Sequence, residues 1–190
     1  LRLTLGFGLA ALHVNHGISP NADSWQRFCE DVCSKLGVPY RGERVQIGPY
    51  REHGLEGAAR SARYDAYARA NTDFIVLAHH RDDQVETLLL QLLRGAGTRG
   101  LAAMPAARTL PGSQTVLLRP LLAFSREQIE AFAREQELDW IDDESNDDTA
   151  RQRNFLRHRV LPLVESQFPA VRRAVARAAL HLAEAGDLQE

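Results

Sequence analysis

The chain has 190 residues, 44% hydrophobic and 25% charged, and its 23 basic side chains nearly balance 25 acidic ones, as in an average globular domain. A length of this order suits one α/β domain with a short appendage, and with no apolar run near the roughly 18 residues that span a bilayer and no leader pattern at the start, neither a membrane protein nor a secreted precursor is expected. Two cysteines, Cys29 and Cys33, are too few for a disulfide scaffold and point to a reducing, cytoplasmic setting.

In chain order, the apolar run Leu9 to Val14 ends in Asn15, His16 and Gly17, as a buried strand ends in a loop. Apolar residues at helical spacing follow from Asp23 to Leu36, with Asn21 or Asp23 as N-cap and Gly37 closing the helix. Val38 to Ile47 predicts a second strand. Leu55 to Ala70 predicts an alanine-rich helix with Arg60 and Arg63 on one face. Phe74 to Ala78 is the clearest strand; it runs into His79, His80 and Arg81 before a leucine-rich helix that starts at Asp82 and ends at Gly95. Met104 to Thr115 reads as a loop and Val116 to Leu122 as a strand, while Ser125 and Gln128 form a capping box for a helix to Leu138. Trp140 to Thr149 is an acidic junction. Beyond it, Arg151 to Val164, limited by Pro162, and Ala170 to Leu188 predict two helices.

Strands alternating with helices indicate an α/β fold: a mostly parallel sheet with helices on both faces, residues 1–145, followed by a helical appendage, residues 146–190. In such folds ligands bind beyond the carboxyl ends of the strands, here HVNHG and AHHRDD. Asp83 and Glu86, three apart, share a helix face, where carboxylates can hold Mg²⁺, bind an ammonium or accept its proton. Acidic residues in a first helical turn also serve simply as caps and dipole partners, and spacing alone leaves both roles open.

Other patterns carry less. Gly95, Gly97 and Gly100 match a dinucleotide fingerprint, but that fingerprint needs a strand before it, and here a helix precedes. Cys29 and Cys33 lie four apart, unlike a redox pair, and read as small core residues. Lys35 is the only lysine, so 22 of the 23 basic residues are arginine, a bias that suits phosphate contacts or merely a GC-rich genome. Charge also changes sign along the chain. Glu130 to Asp148 holds nine acids against Arg134, and Thr149 to Arg177 holds seven arginines against Glu165. Such a basic run marks either a nucleic-acid face or a solvated helix surface.

Together, HVNHG, GLEGAARSARY, AHHRDDQVETLLLQLLRGAG, GLAAMP and RNFLRHRVLP resemble, in order and spacing, the tRNA(Ile)-lysidine synthetase family of the PP-loop ATP pyrophosphatase superfamily. The resemblance covers nearly the whole chain and implies an adenine nucleotide alpha-hydrolase-like fold. It implies a ligase that uses ATP and Mg²⁺ to adenylate the wobble cytidine of an isoleucine tRNA with a CAU anticodon. Free L-lysine then displaces AMP. Carried onto this chain, Asp83 and Glu86 become catalytic, with Asp83 also at the metal. His13, Val14, Asn15, His16, His79, Arg94 and Gly95 fall to ATP, and Arg60, Arg63, Arg153, Asn154 and Arg157 to tRNA or lysine.

The chain departs from the family in one respect: the phosphate-cradling loop of form SGGxDS is absent, and Leu1 to Gly6 look like the tail of the helix that follows it. The expectation is therefore a chain that begins partway into the domain and is inactive by itself. Competing readings are another PP-loop enzyme such as a tRNA thiolase, which would favour a CxxC pair, a noncatalytic RNA-binding module, or a metabolic ligase without salt-sensitive RNA affinity. The sequence leaves membership of a homodimer open, and no membrane partner is expected.

Overall fold

The computed structural model describes residues 6–48 and 54–187, so the reading of Leu1 to Leu5 lies outside the described residues. The chain gathers into two compact units, divided between Thr72 and Asp73.

In the first unit, β1 (Ala11–Asn15) pairs in parallel with β2 (Tyr40–Arg44), Ala11 opposite Tyr40 and Asn15 opposite Arg44. A parallel pair needs a crossover, supplied by α1 (Ala22–Lys35). Gly37 ends that helix with φ of 61°, a left-handed turn that a side chain would strain, while its N–H donates to the Ser34 carbonyl at 3.1 Å. Helix α2 (Gly54–Ala68) buries Ala58, Ala59, Ala62, Ala66 and Tyr67, a stripe at helical spacing.

The second unit holds a three-stranded sheet in the order β3 (Phe74–Val76), β5 (Val116–Leu118), β4 (Ala107–Thr109). β3 and β5 are parallel; β4 runs antiparallel along β5. β4 lies in the stretch expected to be a loop. Its residues, Ala107, Arg108 and Thr109, are all exposed and show no alternation, so pairing with β5 rather than local pattern extends them. Leu117 at the sheet centre is fully buried, with Val85, Leu88, Leu110, Leu156 and Leu161 also in the core.

Between β3 and β5 run α3 (Arg81–Leu93) and the single turn α4 (Thr98–Leu101). Gly95, with φ of 73°, turns the chain out of α3, so GAGTRG does leave a helix rather than a strand. Helix α5 (Arg126–Glu135) carries the expected capping box: the Gln128 N–H donates to Ser125 Oγ at 3.2 Å, and the Ser125 N–H to Gln128 Oε1 at 2.9 Å.

After a 3-10 turn at Glu144–Asp147, α6 (Gln152–Phe155), a π-helical stretch (Leu156–Val160) and α7 (Leu161–Glu165) follow without a break. Pro162 therefore does not limit the helix as expected. The Leu161 N–H reaches back five residues to the Leu156 carbonyl, and this widened turn sits where an interior proline would otherwise clash with the preceding turn. The last helix, α8 (Val171–Asp187), packs along α3 and α4. No helix among the described residues is long and apolar enough to cross a membrane.

Candidate active site

In the first unit the C-terminal end of β1 delivers His13, Val14, Asn15 and His16 to one lip. Asn15, 2% exposed, uses its amide to tie its own loop to α1. Its Nδ2 donates to Asp23 Oδ1 at 2.9 Å and Gln26 Oε1 at 3.0 Å, and its Oδ1 accepts the Gly17 N–H at 2.9 Å. The side chain thus holds the lip in shape. Arg63 of α2 donates from Nε to His16 Nε2 at 3.4 Å. Burial first, then the Arg63 charge and His13, push the His16 imidazole down to about 4, so it is neutral at pH 7. Burial also lowers His13. Two of the residues given to a nucleotide by the resemblance, His13 and His16, therefore stand with one given to tRNA or lysine, Arg63. Arg60 lies elsewhere, over the Tyr64 ring with its Cζ 4.8 Å from the centroid.

Burial pushes the Cys29 thiol up, with Cys33 adding to it, and both cysteines are free thiols on α1. A raised pKa is the reverse of what a nucleophilic thiolate needs.

In the second unit the tip of α3 gathers three acids. Asp83 reaches back to accept the His80 N–H through Oδ2 at 2.9 Å, closing the first turn. Its other oxygen, Oδ1, meets among the described residues only long ion pairs, 3.8 Å to Arg157 Nη2 and 4.0 Å to Arg153 Nη1. Glu86 differs: it is wholly buried, and Arg157 grips both its oxygens, Nε to Oε1 at 2.6 Å and Nη2 to Oε2 at 3.0 Å. Burial opposes the charge on Arg157, but this fork outweighs it, with Asp83 and Asp82 beyond, and raises the guanidinium further. Arg153 completes the clasp, Nη2 donating to Thr87 Oγ1 at 3.0 Å and Nε 3.7 Å from Glu86.

Asp82 is the acid whose role sequence reasoning missed. Its Oδ2 accepts the Arg126 N–H at the start of α5 at 2.8 Å, and its Oδ1 accepts from Arg172 Nη1 of α8 at 2.8 Å. Arg172 also grips Glu165 through Nε at 2.7 Å and Nη2 at 3.1 Å. Burial by itself would raise the Asp82 carboxyl; the Arg126 N–H and the Arg172 charge outweigh it and hold the group below the usual carboxylate range. Partners 44 and 90 residues away leave no local signal beyond the arginine excess after Thr149.

The remaining expected residues are dispersed. Asn154, 6% exposed, donates from Nδ2 to the Ser145 carbonyl at 2.8 Å and the Asp148 carbonyl at 3.0 Å, pinning the acidic junction. Arg94 Nη2 donates to Gln152 Oε1 at 2.7 Å, beside Gly95 at the far end of α3 from Asp83. His79 precedes His80 at the tip. A cleft of about 670 Å³ opens over this end of α3, lined by Asp82, Glu86, Arg126, Arg157 and Arg172 among others. No group of three or more His, Cys, Asp or Glu side chains among the described residues is placed to hold a metal ion. The donor set suits Mg²⁺ only in its usual manner, one carboxylate beside waters and substrate phosphates, and Asp83 Oδ1 is the oxygen available for that.

Parallel strand pairs joined through helices, with polar residues at the strand ends in each unit, define an α/β protein. The chain belongs to the PP-loop domain family, whose model matches residues 2–164. It is 52% identical over 179 residues to the tRNA(Ile)-lysidine synthase of Chromobacterium violaceum, covering 94% of this chain and 41% of that protein. To the enzyme of the same name from Nitrosomonas europaea it is 48% identical, covering 95% of this chain and 40% of that protein. With that from Aromatoleum aromaticum it shares 49%, over 99% and 44%. The chain thus spans 40–44% of the length of these curated relatives. Among solved structures, the U34-tRNA thiolase NcsA from Methanococcus maripaludis is similar in fold, with a TM-score of 0.68 at 17% identity, covering 93% of this chain and 63% of that one.

Proposed function

We propose that the chain is the PP-loop part of a tRNA(Ile)-lysidine synthase. The observation that carries this reading is the 48–52% identity to relatives of that name over 94–95% of the chain. In the reaction so proposed, the oxygen on carbon 2 of the wobble cytidine attacks the α-phosphate of ATP and pyrophosphate leaves. The ε-amine of lysine then attacks carbon 2, the C–O bond breaks, and AMP departs with that oxygen. ATP is the nucleotide, isoleucine tRNA and free lysine the other substrates, and the cytoplasm the setting.

The site chemistry assigns roles within this reading. Asp83 is the catalytic carboxylate that receives the lysine ammonium and takes its proton, because Oδ1 accepts no hydrogen bond among the described residues. In the earlier adenylation step, before lysine takes its place there, that oxygen would hold Mg²⁺, which when bound supplies charge neutralisation to the phosphates. Glu86, with both oxygens gripped, acts behind Asp83 by fixing Arg157, while Arg153 and Arg157 offer positive charge to developing phosphate oxygens. His13, Val14 and the neutral His16 form a lip suited to a flat, uncharged adenine, and Arg63 steadies His16. Arg60, His79, Arg94, Gly95 and Asn154 stay assigned to substrates only through the resemblance. The thiolase reading is not favoured, since likeness at 17% identity speaks for fold alone and Cys29 is poorly ionised.

The test is mass spectrometry of an isoleucine tRNA transcript incubated with the full-length protein, ATP and lysine. The expected result is a gain of one lysine less one water, lost in the Asp83→Asn variant while its unfolding curve stays that of the parent. A transcript that binds but gains no mass would refute the reading.

A further inference from the structure

A second groove in the same unit, of about 980 Å³, shares Arg81 and Arg173 with the acidic cleft but differs from it in charge. The cleft balances five arginines with five acids; the groove is lined by five arginines and not one Asp or Glu. Arg119 is buried and committed through Nη1 to the Pro105 carbonyl at 2.7 Å, which places a fixed charge beneath the floor. Arg173 and Arg177 stand exposed one turn apart on α8 and make no ion pair among the described residues. Ala102, Met104, Pro105, Ala176 and Leu180 form a floor of small or flexible apolar groups.

Arg173 and Arg177, without an ion pair among the described residues and beside an apolar floor, suit an anion that also carries flat rings. A protein segment would rarely bring repeated negative charge together with such rings, whereas a nucleic-acid strand brings both in every residue. Arg81 and Arg173 line both cavities, so the groove lies beside the carboxylate cleft. We propose that this groove is where the tRNA strand flanking the reacting base lies, with backbone phosphates on Arg173 and Arg177 and an unstacked base or ribose on the Met104–Leu180 floor. This rests on the reading of the protein as a tRNA-modifying enzyme and adds to it the surface that carries the strand.

Two measurements on the full-length protein test it. In Arg173→Gln/Arg177→Gln, tRNA affinity at about 0.1 M salt falls roughly tenfold, and the slope of log K against log salt shrinks by about 1 to 2, as expected when two phosphate contacts are lost. In Arg177→Cys, the thiol introduced at that position reacts with a maleimide, located by peptide mapping, and tRNA protects it. Unchanged affinity and slope, with lysine transfer still observed in the parent protein, overturn the groove and leave the proposed function standing. Protection of the new thiol before tRNA is added also overturns it, because a protein segment then fills the groove. Failure of the parent to transfer lysine to tRNA it binds strikes instead at the proposed function.

Discussion

The interaction between Glu86 and Arg157 shows what a single buried charge commits a fold to. Removing either partner takes away the bidentate grip on the other and leaves only longer ion pairs, Arg153 at 3.7 Å from Glu86 or Asp83 at 3.8 Å from Arg157, a loss of about 3 kcal/mol. Glu86→Ala is therefore expected to lose that much in denaturant unfolding, and Glu86→Leu with Arg157→Met to recover most of it, because apolar replacement of both partners is close to neutral. At the other lip, His16 has a folded pKa of about 4 against an ordinary value of 6.5. Between those values the unfolded chain binds a proton that the folded chain refuses, so stability declines as pH falls across that window. Asp82 adds a loss of the same sign at lower pH: its carboxyl is depressed in the fold, and the stability it contributes disappears as pH falls through its folded value. Thermal melting between pH 7 and 4 should show His16→Asn flattening the upper part of this decline; an unaltered profile would remove His16 from the account.

At the scale of elements, the loop after α4 is positioned by one side chain of α3. Gln84, 7% exposed, accepts the Met104 N–H through Oε1 at 2.8 Å and donates from Nε2 to the Met104 carbonyl at 2.7 Å, as a neighbouring strand would. This clamp holds Ala103 at φ of 57°, a left-handed conformation unfavourable to a side chain. Gln84→Met should leave both backbone groups of Met104 unpaired and cost about 1–3 kcal/mol, with faster hydrogen exchange confined to residues near 102–106. Elements of this size were legible where the period was strong. α1, α3, α5 and the strands at β1, β3 and β5 follow from apolar spacing within a dozen residues, and the Ser125 box from its two residues alone. β4 was not, because its extension comes from the backbone of β5, and the passage of the helix through Pro162 depends on a widened turn that no local pattern announces.

Over the whole molecule, the lips at β1 and at the tip of α3 were legible because polar residues interrupt strong apolar runs there. The partners of the acids were not. Arg153, Arg157 and Arg172 lie 66, 71 and 90 residues beyond the α3 groups they bond, and the sequence offered only an unexplained arginine excess. For the same reason Glu86 read as a free carboxylate, although packing has engaged both of its oxygens. That separation also bears on biosynthesis. A ribosome adding about 5 to 20 residues per second delivers Asp82 roughly 5 to 20 seconds before Arg172. During that interval the nascent tip of α3 carries naked negative charge, and its final geometry waits for α8 to leave the exit tunnel.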